Sequence, residues 1–197
     1  MRLFIGIELP AAVRADVAGI ADGCRRRIAR VAPRAVLRWI PEDNLHITLW
    51  FLGDVDEPRT AVLMEALRQP FQTTAFTARL GGLGAYPPSG GPRVIWQGID
   101  EGREGLQSLH AQLAIRLPAA GFEAEHRPYS PHVSLARVKD VPRSESTAVR
   151  TALERPAGAA DPDPFEVTGL TLFKSRTLPS GSEYQSLLRV PLKGCSP

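Results

Sequence analysis

Two four-residue segments carry the side chains best suited to chemistry: His46-Ile47-Thr48-Leu49 and His132-Val133-Ser134-Leu135. Each reads histidine, apolar residue, hydroxyl residue, apolar residue. They lie 86 positions apart, one in each half of the 197-residue chain. Side chains on a β-strand alternate between its two faces. As strands, the segments put His46 with Thr48, and His132 with Ser134, on one face, over Ile47, Leu49, Val133 and Leu135 on the other. Imidazole is the side chain best matched to taking up and returning a proton near neutral pH. Two such strands facing each other would surround one small cavity with two imidazoles and two hydroxyls. One group could then remove a proton on one side of a reacting atom while another delivers one on the opposite side.

The remaining candidates carry less. His110 sits beside the apolar stripe of a helix and is expected to be structural, and His126 is expected in an exposed loop. Trp50 shares parity with His46 and Thr48 under strict alternation; packing at the cleft edge is the expected role, with base stacking as the alternative. Arg137 follows His132 by five, so alternation turns it away from His132 and a bulge or strand end is needed to bring it back. Arg25, Arg26, Arg27 and Arg30 lie largely on the polar side of a helix and read as a solvated face.

The elements that must position these residues follow from periodicity and punctuation. Strands are expected over 2–9, 35–40, 45–52, 73–80, 93–99, 131–138, 165–174 and 183–192, and helices from Pro10 to about residue 31 and over 57–69, 102–117 and 143–154. The first helix carries a stripe of Val13, Val17, Ile20, Cys24, Ile28 and Val31, and the third carries Leu106, Leu109, Leu113 and Leu117. Strands and helices mix without regular βαβ alternation, so the class is α+β. The repeated histidine strand implies two pseudo-symmetric lobes, each with an antiparallel sheet and helices and with the site in the cleft between them. The expectation is a single bilobal domain over 1–197, its lobe boundary near the turn-rich 86–92, with strands free to cross over.

Composition narrows the class. The 43% apolar and 23% charged fractions are those of an ordinary globular protein, and the net charge of +3 permits a polyanionic partner without requiring one. Arginine outnumbers lysine 21 to 3, which reads as compositional bias. Cys24 and Cys195 make no disulfide framework and are expected as free thiols, with Cys24 in the core. No Cys/His cluster has zinc-ligand spacing. The opening MRLFIGIELP is broken by Glu8 and Pro10, unlike a signal peptide, so a cytoplasmic location is expected.

The two tetrads and their flanks resemble the two-histidine phosphoesterase superfamily, and within it the RNA 2',3'-cyclic phosphodiesterase or 2'-5' RNA ligase (LigT-type) family. The flanks are Arg38-Trp39-Ile40-Pro41, Asn44-Leu45, Phe51-Leu52-Gly53, Pro92-Arg93-Val94-Ile95-Trp96, Ala136-Arg137 and Leu172-Phe173-Lys174-Ser175. Ser134 stands where threonine is commoner, and Trp50 where small residues are usual. The resemblance implies hydrolysis of RNA 2',3'-cyclic phosphate ends to 2'-phosphomonoesters without a metal or other cofactor, with weak reverse 2'-5' ligation. It implies His46 as general acid, His132 as general base, and Thr48, Ser134 and Arg137 on the phosphate. A monomer acting on RNA ends, tRNA fragments among them, is expected. The alternatives are a cyclic phosphodiesterase for a nucleotide or ADP-ribose derivative, and a non-catalytic module that binds RNA ends.

Overall fold

The computed structural model describes residues 1–124, 128–154, 161–178 and 181–194. Apolar periodicity becomes helix faces much as expected. In α1 (Ala11–Val31) the buried line is Val13, Val17, Ala21, Cys24 and Ile28, whereas Ile20 is half-buried and Val31 is exposed. Pro10 caps this helix from outside, where its missing N–H costs nothing. In α2 (Glu57–Arg68) the Asp56 side chain accepts from the Arg59 backbone N–H at 2.8 Å, a standard N-cap. The sequence pattern sets Val62, Leu63, Ala66 and Leu67 inward; Leu63 and Leu67 are buried, but Val62 is exposed, Ala66 is half-buried and Thr60 takes the third buried place. In α3 (Arg103–Ala119) all four leucines are fully buried. The helix expected over 143–154 is only the short α4 (Ser146–Thr151).

The strands are β1 (Arg2–Glu8), β2 (Val36–Trp39), β3 (His46–Asp54), β4 (Phe76–Tyr86), β5 (Val94–Glu101), β6 (Val133–Asp140), β7 (Phe165–Val167), β8 (Gly169–Leu178) and β9 (Gly181–Pro191). All pair antiparallel in the order β7-β4-β5-β6-β3-β1-β8-β9, and β2 takes a further place on β6. The fold is α+β. Helix α1 packs on β6 and α4, α3 packs on β3, and α2 packs on α3 and β9.

Two features of the chain path were not legible in the pattern. β4 continues past the expected end at residue 80 through Gly81 and Gly82, where a register shift and a positive φ of 62° at Gly82 carry the chain on. The expected strand 165–174 is two strands. β7 pairs with β4, and one residue later β8 pairs with β1, so the chain changes neighbours across Thr168. The turn at 86–92 joins β4 to β5, which pair with each other. The histidines therefore belong to two sets of strands that do not follow the halves of the sequence: β4, β5, β6, β7 and β2 with His132, and β3, β1, β8 and β9 with His46. The sets meet at one residue couple, Ile47 with Val133.

Candidate active site

That couple organises the site. Ile47 and Val133 are both fully buried, so their neighbours in each strand face the other way. An antiparallel couple has a local two-fold axis, and here it exchanges His46 with His132 and Thr48 with Ser134. Continuing the register places each imidazole across from the other strand's hydroxyl. Both strands then slip. β3 is bulged between Thr48 and Trp50, and β6 is bulged between Ser134 and Ala136, so the leucine of each tetrad is the extra residue. Leu49 and Trp50 are consequently both buried, as are Leu135 and Ala136.

The slip settles two expectations. Arg137 returns to the face of His132 and Ser134 and is exposed there; the bulge its placement required is present. Trp50 turns inward to 4% exposure, which excludes base stacking and also removes it from the cleft edge. Its ring lies 5.1 Å from His110, which stacks on Tyr129 at 4.2 Å and 1°. The Tyr129 hydroxyl donates to the Thr48 carbonyl at 3.1 Å, so this stack supports β3 from behind. Burial raises the Tyr129 pKa, which keeps it a donor. His110 is thus part of the packing. Cys24 is buried in the core. His126 and Cys195 lie outside the described residues.

The imidazoles are held alike. His46 Nδ1 donates to the Asn44 carbonyl at 2.7 Å and His132 Nδ1 donates to the Ser130 carbonyl at 2.8 Å, in each case two residues upstream. A carbonyl only accepts, so Nδ1 carries the hydrogen in both and each neutral ring offers Nε2 as its free base. His46 Nε2 sits 3.0 Å from Thr48 Oγ1. His132 Nε2 and Ser134 Oγ have no hydrogen-bond partner among the described residues, leaving them open to a ligand.

The surroundings differ. The His46 ring lies 4.8 Å from Phe4, 5.3 Å from Tyr184 and 6.1 Å from Phe173. Gly6 lies beneath it: a Cβ there would stand 2.8 Å from the Ile47 carbonyl and 3.3 Å from His46 Cδ2. Among the described residues the His132 ring has only Tyr86 at 5.3 Å and Trp96 at 6.3 Å as aromatic neighbours. Burial drives the His46 pKa down to about 4, against a raising effect of the Asn44 carbonyl and with a smaller lowering from His132. The charge of His132 is thus felt at His46 across the Ile47–Val133 couple. His46 keeps part of its surface accessible, so the desolvation comes mainly from the close aromatic rings around it. Burial also lowers His132, partly offset by the Ser130 carbonyl.

Several contributors were invisible in the sequence. Phe4 and Phe173 read simply as apolar strand residues, and Tyr184 as part of a hairpin. Asn44 works through its backbone carbonyl and also through its amide, which donates to the Ser182 carbonyl and ties the first tetrad to β9. Among the described residues, no three His, Cys, Asp or Glu side chains are grouped to hold a metal ion. No helix among the described residues is long and apolar enough to cross a membrane.

The chain has counterparts among known proteins. The family model of the 2'-5' RNA ligase superfamily matches residues 12–178. The chain belongs to this superfamily. Relatives within reach of it are named RNA 2',3'-cyclic phosphodiesterase. The protein from Aeropyrum pernix is 32% identical over 154 residues, covering 78% of this chain and 85% of its own. That from Thermotoga maritima is 28% identical over 195 residues, covering 98% and 97%, and that from Escherichia coli is 34% identical over 139 residues, covering 69% and 71%. Among solved structures, TT0787 of Thermus thermophilus superposes with a TM-score of 0.72 at 28% identity, covering 98% of this chain and 99% of that one. Apo LigT of Escherichia coli superposes with a TM-score of 0.70 at 27% identity, covering 97% and 96%.

Proposed function

We propose that the protein hydrolyses RNA 2',3'-cyclic phosphate ends to 2'-phosphomonoesters, by acid–base catalysis between His46 and His132 and without a metal ion. The observation that carries this reading is the pair of imidazoles related by the Ile47–Val133 couple, each locked in the same tautomer with Nε2 available. The names of the superfamily relatives support the substrate class.

In the proposed reaction the cyclic phosphate lies between the rings. Neutral His132 takes a proton from water at Nε2 as the water oxygen bonds to phosphorus. The bond from phosphorus to the ribose 3'-oxygen breaks, and His46, protonated at Nε2, delivers its proton to that oxygen. Thr48, Ser134 and Arg137 hold the non-bridging oxygens, the guanidinium binding two of them. Run backwards with an RNA 5'-hydroxyl in place of water, the same steps form a 2'-5' linkage; bulk water makes hydrolysis dominant. This division of roles follows the family resemblance. The aromatic wall makes His46 a weak base, so the negative charge of the bound phosphate and of the leaving oxygen must hold the proton on it until transfer.

One domain spanning the chain, its two lobes meeting at β3 and β6, is the proposed working unit. It is proposed to act as a cytoplasmic monomer on RNA ends, tRNA fragments among them. The test is a short RNA ending in a 2',3'-cyclic phosphate, incubated in excess EDTA. The expected product is a 2'-phosphate, resistant to a 3'-specific phosphomonoesterase and removed by a general one. Binding without turnover points to an end-binding module; turnover of cyclic nucleotides or ADP-ribose derivatives alone points to a small-molecule enzyme. A substrate with sulfur at the 3' bridging position needs no proton on its leaving group, so it is expected to rescue a His46→Ala variant but not His132→Ala. The opposite rescue reverses the roles.

A further inference from the structure

Beside the histidine pair lies a cluster of cations that hydrolysis of a lone cyclic phosphate does not use. Arg38 on β2 is directly opposite Arg137 on β6, and Val94 on β5 flanks Arg137 on its other side. Directly opposed residues of antiparallel strands share a face, with Cβ atoms about 4.5–5.5 Å apart, and like charges so placed destabilise the sheet. Trp39 and Leu37 point the other way, into the core. Neither Arg38 nor Arg137 donates a hydrogen bond or forms a salt bridge with any described residue, and the same is true of Arg2 at the start of β1. Some arginines elsewhere are tied down, exposed Arg34 to Glu145 and Ser144 and half-buried Arg150 to the carbonyls of Pro87 and Gly90, whereas Arg38 stands beside the histidine site without a partner among the described residues. The positive charges of Arg137, Arg2 and Arg38 all act on the Tyr184 phenol, whose pKa burial otherwise raises. The Tyr184 ring is itself 5.3 Å from His46.

A cyclic phosphodiester carries one negative charge. A protonated imidazole and Arg137 already exceed it. Arg2 has Asp54 directly opposite it on β3, whereas Arg38 faces only Arg137 and has no acidic partner among the described residues, so a second phosphate on the substrate would supply its counter-charge. An RNA end brings one, since each further phosphodiester adds a charge. We propose that Arg38 forms a second anion subsite, taking the phosphate on the 5'-oxygen of the terminal nucleotide, so that an RNA end is preferred over a free cyclic nucleoside phosphate. The inference rests on the hydrolytic reading above. It makes Arg38 a specificity-determining residue, with binding energy that rises and falls with that one phosphate.

The experiment compares three substrates: adenosine 2',3'-cyclic phosphate, the same compound bearing a 5'-phosphate, and a short RNA ending in a 2',3'-cyclic phosphate. The wild type is expected to favour the second and third over the first in kcat/KM by about tenfold or more, mainly through KM, as for charge-assisted contacts. Arg38→Gln is expected to bring that ratio close to one, and Arg38→Lys to keep part of it. For the RNA, the dependence of log KM on log salt should flatten in Arg38→Gln by about 0.7, the value for one phosphate contact on a single strand. Equal losses on all three substrates in Arg38→Gln and Arg38→Lys would place Arg38 on the scissile phosphate or in the fold, and overturn the subsite. An unchanged ratio in Arg38→Gln overturns it as well. If the wild type turns over none of the three, the hydrolytic reading itself fails and takes this inference with it.

Discussion

The two halves of the site begin from the same tetrad and end as different environments. Around His46 the rows across the sheet are aromatic: Phe51, Phe4 and Phe173 are successive partners on β3, β1 and β8. At the equivalent level beside His132 the row is Arg38, Arg137 and Val94. The first half is walled by aromatic rings, and its imidazole is already engaged by Thr48; the second is cationic, and its His132 Nε2 and Ser134 hydroxyl have no hydrogen-bond partner among the described residues. Backbone anchoring is identical, so the difference in proton affinity comes from the walls. The lesson is that duplication of a motif supplies two matched bases, and the neighbouring strands make them unequal.

The largest effect expected from breaking the pair is in the histidines themselves. His46→Ala and His132→Ala should each lower kcat on the order of 10²–10⁴-fold, the range for a general acid or base. The double variant should fall little below the worse single one, because groups that act in one step are not additive. Losses that multiply in the double variant would mean two independent contributions. Gly6→Ala is next. It breaks only the His46 half, since the added Cβ must displace the Ile47 carbonyl or the His46 ring. A loss on the order of 10²-fold in kcat is expected for such a misplacement, and normal turnover in a folded Gly6→Ala protein would show that the ring's position is uncritical.

The hydroxyls sharpen the contrast. Thr48→Val and Ser134→Ala each remove a contact to an anionic phosphate, worth on the order of 10- to 100-fold. Thr48→Val should be the more damaging, because it also unpairs His46 Nε2; a clearly larger loss from Ser134→Ala would contradict the asymmetry. The smallest effect is on stability. Both histidines are held below their ordinary 6.5, His46 near 4. Between pH 6.5 and about 4 the unfolded chain therefore binds protons that the folded chain refuses, and stability falls as pH drops through that window. Above 6.5 both states are neutral at these positions and no slope arises from them. His46→Gln should make the fall in Tm between pH 7 and pH 4.5 shallower than in the wild type, and an identical fall would place the His46 pKa elsewhere.

What could be read beforehand tracked local rules. Alternation put the histidines and hydroxyls on one face, and the leucines of α3 fell where their spacing required. Alternation failed at Trp50 because the bulge at Leu49 depends on which strands pair with β3, a non-local fact. The same device at Leu135 returned Arg137 to the cleft. The exchange of partners across Thr168 had no signal, since both flanking strands are equally apolar. Asn44 and Ser130 anchor the imidazoles through backbone carbonyls, which every residue possesses, so their side chains gave no clue to that role. Arg38 figured in the sequence only within the flank Arg38-Trp39-Ile40-Pro41, because its significance lies in standing opposite Arg137.

The central claim is that catalysis runs through one neutral and one protonated imidazole, with no metal ion. The most direct test is the pH dependence of kcat/KM for a short RNA ending in a 2',3'-cyclic phosphate, measured in excess EDTA. This quantity follows the free protein, and the singly protonated pair is most populated between its two pKa values. Both lie below the ordinary 6.5, the lower near 4. The account predicts a bell-shaped profile with its maximum inside that interval, unaffected by the chelator. Activity that climbs through neutral pH with no alkaline limb, or that vanishes with EDTA and returns with a divalent ion, would contradict it.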